Sequence, residues 1–204
     1  MNDDGSMARL TDLVPFAQRH GLKIGAIADL IHYRAANESM IERIGSRRIN
    51  TTAGAFELIA YRDRPSGSAH LALVRGAIDP EREVLVRVHE PLSVLDALDA
   101  DLATHSWPLP RALAKIAEAG SGVVVLLNCG ESSDGLLARF ESLIPADAGA
   151  EAGPRSMRMD LRTYGVGAQI LRDLNVKRMK LLAKPRKMPS MTGFGLQVTG
   201  YLES

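Results

Sequence analysis

The spacing of hydrophobic positions along the chain is helical at first, then alternating, then a mixture of the two. In the first 43 residues, Leu13, Val14 and Phe16 follow Thr11, a residue type that caps helices, and Gly21 is placed to end the helix. A second series, Ile27, Leu30, Ile31 and Tyr33, keeps helical spacing, and the pattern predicts its continuation through Met40 and Ile44. So short an apolar inventory does not build a core alone, and this region is expected to pack on another body.

From Phe56 the period changes to two. Phe56, Leu58 and Ala60 alternate with Glu57, Ile59 and Tyr61. DRPSGS then supplies turn residues before AHLALVRG, and DPERE supplies more before VLVRVHE. Three or four antiparallel strands joined by hairpin-like turns follow from this pattern. Beyond Ser93 the helical period returns with Leu95, Leu98 and Leu102, then Leu113, Ile116 and Ala117. The run from Val123 to Leu127, bounded by glycines, predicts a buried strand. Leu136, Leu137, Phe140 and Leu143 predict a helix, PADAGAEAGPRS a loop, DLRTYGVGAQILRDLNV a helix, and MKLLA and LQVTGYL two last strands. The fold class is therefore α+β, a mixed and largely antiparallel sheet flanked by helices.

Composition narrows the function classes. No apolar run approaches the roughly 18 residues of a membrane span, so no membrane partner is expected. The N-terminal MNDDGSMARL has neither the basic nor the apolar region of a signal peptide. Cys129 is the sole cysteine, which excludes an internal disulfide framework and any zinc site built from several thiolates of this chain. A cytoplasmic location is expected from these features. Aromatic residues make up only 4% of the chain, too few for the stacking platform of a single-strand nucleic-acid binder.

Charge is uneven. Arg155, Arg158, Arg162, Arg172, Lys177, Arg178, Lys180, Lys184, Arg186 and Lys187 are set against only Asp160 and Asp173 in that stretch. Clustered cations raise the local potential for phosphates, so this stretch is either an anion site or a solvated basic face.

Two groups of residues carry a resemblance. MNDDGSMARLTDLVPFAQRHGLKIGAIADLIHYR resembles the C-terminal end of 3,4-dihydroxy-2-butanone 4-phosphate synthase. The stretch from about Arg47 to Leu202 is similar to GTP cyclohydrolase II, best at DLRTYGVGAQILRDLNVKRMKLL and GFGLQV. The pair resembles the back half of the two-domain riboflavin-biosynthesis fusion of these enzymes. The resemblance implies a synthase tail and linker over residues 1–43 and a cyclohydrolase-like domain over residues 44–204. It also implies a homodimer, an upstream synthase domain as partner, and GTP or another nucleotide phosphate as the ligand class. The synthase active site is then mostly upstream of Met1, and this chain is not expected to make the butanone phosphate by itself.

Opening the imidazole ring of guanine and releasing formate needs a strong nucleophile at neutral pH, which zinc supplies by acidifying bound water. The family holds zinc with three cysteines after an RVHSE stretch, and these positions fall here at Leu92, Ala103 and His105. Leu92 and Ala103 have no donor atom, and His89 with His105 makes too poor a donor set, so no cofactor is expected. In place of the family's RQEGR-like loop stands NCGESSDG, with Asn128, Gly130 and Ser132 where the resemblance puts Arg, Glu and Arg, and with Glu131 as a slipped remnant of the carboxylate. Cys129 reads as a small buried residue at a strand end. The resemblance also implies roles for Asp160 as proton acceptor and Arg162 as nucleophile at the α-phosphate. The same two residues also fit a plain N-cap and first-turn Arg. AKPRK stands for a TNNP-x-K segment, leaving Lys187, or Arg186, as the phosphate contact. Two functions stay open: a cyclohydrolase-like domain retired from ring opening and kept for structure, dimerisation or regulation, and an active GTP cyclohydrolase II or GTP pyrophosphohydrolase with an altered site.

Overall fold

Alternation produces a seven-stranded sheet, and the strands differ in how many of their faces are apolar. The computed structural model describes residues 1, 4–27, 29–30, 33–34, 38–90, 93–98, 106–147, 161–185 and 191–203, with the backbone alone at 97, 142–147 and 161–163. Helix α1 spans Leu10–Arg19. Its N-terminal flank is Arg9 rather than Thr11, and the Asp12 carboxylate accepts the Arg9 N–H at 2.8 Å. Leu10, Leu13, Phe16, Leu22, Ile24, Ile27, Leu30 and Tyr33 are exposed. The predicted helix through Met40 and Ile44 is not formed, because Ile41–Thr51 is strand β1, paired antiparallel with β2, Gly54–Asp63. The ladder shifts register between Arg43 and Gly45. That bulge flips the phase of β1: Ile41 packs in one core layer and Ile49, eight residues on, against the other.

Strand β3 (Ala69–Arg75) continues the antiparallel meander. The DPERE turn, however, does not close a hairpin. Strand β4 (Glu83–His89) lies one place further away, with β5 (Gly122–Leu126) inserted between, antiparallel to β3 and parallel to β4. All five residues of β5 are buried. A strand with no polar face is stable only in the middle of a sheet covered on both sides, and this explains why β5 takes that place. Strands β6 (Arg178–Leu182) and β7 (Gln197–Leu202) extend the parallel half, giving the order β1-β2-β3-β5-β4-β6-β7. The sheet is therefore mixed, antiparallel from β1 to β5 and parallel from β5 to β7.

Helices cover both faces. After the single turn α2 (Leu95–Leu98), helix α3 (Leu109–Ala119) buries Leu109, Ala112, Leu113 and Ile116 against Phe56, Leu73, Val124, Leu126 and Leu182. Its i, i+3, i+4, i+7 spacing supplies that face, and Gly120 closes the helix in the left-handed conformation. Helix α4 (Ser133–Asp147) runs further than expected, taking in Pro145 to Asp147 of the predicted loop. Helix α5 (Leu161–Asp173) packs Val166, Ala168, Ile170 and Leu171 on the opposite face with Ile59, Tyr61, Val86, Val125 and Leu127. A side-chain carbon at Gly167 would meet Leu127 at 3.5 Å and Val88 at 4.0 Å, ordinary contact distances, so this position faces the sheet. Among the described residues no helix is long and apolar enough to cross a membrane.

Candidate functional site

Parallel strands β4 and β5 end side by side, with His89 opposite Leu126. The chain leaves β4 and β5 toward different elements at this point, and in open sheets such a place forms a crevice at the strands' C-terminal ends. Here the crevice region is occupied by polar side chains that hydrogen-bond to one another.

Asp96, on α2, is the centre of one set. It is 3% exposed; its Oδ1 accepts from Arg139 Nη2 of α4 at 2.8 Å, and its Oδ2 accepts the Ser93 N–H at 2.9 Å and stands 3.1 Å from His89 Nε2. Burial by itself raises the Asp96 carboxyl, but the His89 contact, the Ser93 N–H and the Arg139 charge outweigh it and hold it below the ordinary carboxylate range. Ser93 Oγ donates to Glu131 Oε2 at 2.7 Å and accepts the Leu95 N–H at 3.3 Å, extending the set into the loop after β5.

A second set organises the start of that loop. Asn128 adopts a left-handed backbone (φ 53°), its N–H donates to His70 Nδ1 at 3.0 Å, and its side-chain Nδ2 donates to Glu90 Oε1 at 2.8 Å. His70, buried on β3, must therefore be neutral with its proton on Nε2. Burial lowers its pKa, and the nearby Asp63 carboxylate offsets this only in part. Cys129 is held by Ala69 O through its N–H and by Leu126 O through its Sγ, and burial pushes the thiol up to about 11. The structure thus places Cys129 as a poor nucleophile at the end of a strand.

Of the residues singled out from sequence, His89 is the last residue of β4, fully buried beside Asp96. Glu131 is held by Ser93, and Arg162 is the second residue of α5. Asp160, Arg186, Lys187, Leu92, Ala103 and His105 lie outside the described residues, as does the side chain of Arg162. Within α5, Gly165 faces Met40 and Phe194 rather than the sheet. Asp96 and Arg139 escaped sequence reading. A signal for Asp96 existed: Ser93-Val-Leu-Asp96 is a capping-box spacing just before an apolar run. Nothing local marks Arg139.

Of the three positions at which the resemblance implies zinc ligands, Leu92 and Ala103 are hydrocarbon and supply no donor atom. His89 is fully buried and turned to a carboxylate itself engaged by Arg139, and among the described residues no group of three His, Cys, Asp or Glu side chains is arranged to hold a metal ion.

A three-layer arrangement built on this mixed sheet is matched by a family model. The model for GTP cyclohydrolase II aligns with residues 42–203, and the chain belongs to that family. Among curated relatives, the chain is 46% identical over 204 residues to a 3,4-dihydroxy-2-butanone 4-phosphate synthase of Neisseria meningitidis serogroup B, covering 100% of this chain and 54% of the relative. It is 39% identical over 204 residues to the riboflavin biosynthesis protein RibBA of Aquifex aeolicus, covering 97% of this chain and 50% of the relative. The crystal structure of RibBX, a two domain 3,4-dihydroxy-2-butanone 4-phosphate synthase from A. baumannii, matches with a TM-score of 0.54 and 38% identity, covering 99% of this chain and 51% of that one. The chain spans about half the length of the curated relatives it matches. A relation to riboflavin biosynthesis follows from these names and the family.

Proposed function

We propose that this chain is a GTP cyclohydrolase II-family domain that has lost zinc-dependent ring opening and serves a structural, dimerising or regulatory role beside a 3,4-dihydroxy-2-butanone 4-phosphate synthase domain. One observation carries the reading: the strand ends gather the carboxylates of Asp96, Glu90 and Glu131, and the Arg139 guanidinium there bonds buried Asp96 at 2.8 Å. Glu90 and Glu131 stand in the same region, bonded to Asn128 and Ser93. A region with more carboxylates than cations disfavours a triphosphate, because like charges raise the cost of bringing one in. The hydrocarbon at Leu92 and Ala103 supports the same reading, because without a metal water is far too weak an acid to supply hydroxide at neutral pH.

The test is a GTP turnover assay with added zinc and magnesium in which formate and pyrophosphate are followed separately, together with elemental analysis of the purified protein. The reading expects neither product and far less than one zinc per chain. Formate, or stoichiometric zinc, overturns it. Pyrophosphate alone means that Asp160 and Arg162 still act at the α-phosphate. If the basic stretch retains nucleotide binding without turnover, Lys187→Ala weakens GTP affinity by about 1–3 kcal/mol, the scale of a charged hydrogen bond.

A further inference from the structure

Residues just before the sheet are gripped by α5. The Met40 N–H donates to Gln169 Oε1 at 2.8 Å, and Gln169 Nε2 donates to the Glu38 carbonyl at 3.4 Å. Gln169 is buried, 7% exposed, and both bonds are partly buried. Met40 O accepts the Arg64 N–H at 2.8 Å, and Ser39 Oγ donates to Ile41 O at 2.8 Å. Backbone groups over this linker are thus held from the helix on one side and from the end of β2 on the other.

The Met40 side chain adds a second hold. One turn before Gln169 on the same helix face stands Gly165. A side-chain carbon there would lie 3.4 Å from Met40 Cε and 3.8 Å from Phe194 Cζ. These are ordinary contact distances, so Met40 and Phe194 both lie against α5 at Gly165, and Phe194 comes from the short 3-10 turn Thr192–Phe194. Phe194 packs against the main core layer, and Met40 Cε lies beside the same glycine. In sequence, Arg162 precedes Gly165 on α5, and Arg186 and Lys187 precede the turn that carries Phe194.

We propose that Met40 and Gln169 form a joint by which the N-terminal segment sets the placement of α5 and of the Thr192–Phe194 turn. Met40 and Gln169 are positioning residues in this account. A linker held only by solvent-exposed contacts would move independently of the body. One held by a buried amide and a side chain lodged over a glycine transmits its position. The inference goes beyond the loss of ring opening and holds whether or not GTP is turned over.

Hydrogen exchange by mass spectrometry on the full chain tests it, with Met40→Ala, Met40→Leu and Gln169→Leu. Met40 is half-buried, so Met40→Ala keeps the fold and provides a usable variant even where Gln169→Leu does not. The expected result for Met40→Ala and Gln169→Leu is an exchange rate about tenfold higher in peptides over 161–168 and 191–196, the scale of one lost hydrogen bond or packing contact. Peptides over α3 and β5 stay unchanged, and Met40→Leu restores wild-type exchange. Changes confined to 38–41 overturn the proposal, since the linker is then a passive tether. Equal increases over α3 and β5 also overturn it, since the residues then serve general stability. The turnover assay bears on ring opening alone, so failure of either idea is read separately.

Discussion

Replacing Asp96 by Asn removes one charge and almost no volume from the buried end of β4. The Asp96 side chain is 2% exposed and that of Arg139 15%, so solvent screens their interaction little. Removing one partner of a buried pair costs about 3–5 kcal/mol, largely because the other is left buried and uncompensated. Asn keeps an acceptor for Arg139 Nη2 or the Ser93 N–H, which places the expected loss near the lower end, about 3 kcal/mol. For a chain of this length that lowers Tm by about 6–12 °C. Urea unfolding is followed through Trp107, the only tryptophan, which is buried and donates its Nε1–H to Leu202 O at 2.8 Å. This probe sits in the core layer under α3. Arg139→Met and the double variant complete a cycle, and the double variant should be less destabilised than the sum of the single ones. The pH dependence has a definite sign. Asp96 is held below its unfolded value, so its contribution is fully present above about pH 4 and is lost as pH falls through the folded value. The gap between wild type and Asp96→Asn is then constant from pH 7 to 5 and closes only below about pH 4. A loss under about 1 kcal/mol at pH 7, or a gap that changes between pH 7 and 5, refutes the reasoning.

Other outcomes follow from the same contacts. The lowered pKa of His70 means that the folded chain resists its protonation, so stability conferred by the neutral ring is present above about pH 6.5 and lost as pH falls through the folded value. His70→Asn, whose Oδ1 can still accept the Asn128 N–H, should flatten that part of a stability-versus-pH curve, and an unchanged slope between pH 6.5 and 5 counts against the assignment. Gly76 has φ +66°, and a side-chain carbon there would run into the Gly120 carbonyl oxygen. Gly76→Ala should therefore cost about 2–4 kcal/mol in urea unfolding, and a cost below about 1 kcal/mol would show that the turn relaxes freely. With its thiol pushed up to about 11 and half-buried, Cys129 should react with a thiol reagent at pH 7.5 far more slowly in native protein than in denaturant. Equal rates would remove the case for a shielded strand-end thiol.

Periodicity in the sequence is informative where one face of an element is buried and the other is wet. The alternation from Phe56 to Tyr61, the spacing of Leu113 and Ile116, and the unbroken run from Val123 to Leu127 each correspond to an observed strand or helix. The same reasoning fails at Ile44. A few apolar residues with helical spacing are also compatible with a strand whose phase is broken by a bulge, and the bulge between Arg43 and Gly45 has no separate signature. The turn at DPERE looks like a hairpin because hairpins and crossovers begin with the same turn residues. Only the competition for the sheet centre, won by β5 with its two apolar faces, separates β3 from β4.

For the site, the residue types at Leu92 and Ala103 already determine that thiolate chemistry is absent from those positions, since no fold gives a hydrocarbon a lone pair. The chain's own sequence likewise determines its family and the elements of its two core layers. Tertiary structure decides which polar groups meet. Asp96 and Arg139 are 43 residues apart, Asn128 and His70 are 58 apart, and Met40 and Gln169 are 129 apart. Pairing over such distances depends on sheet order and on the distance at which each helix packs. Local propensity carries no record of either, so the buried network and the linker joint belong to the folded chain alone.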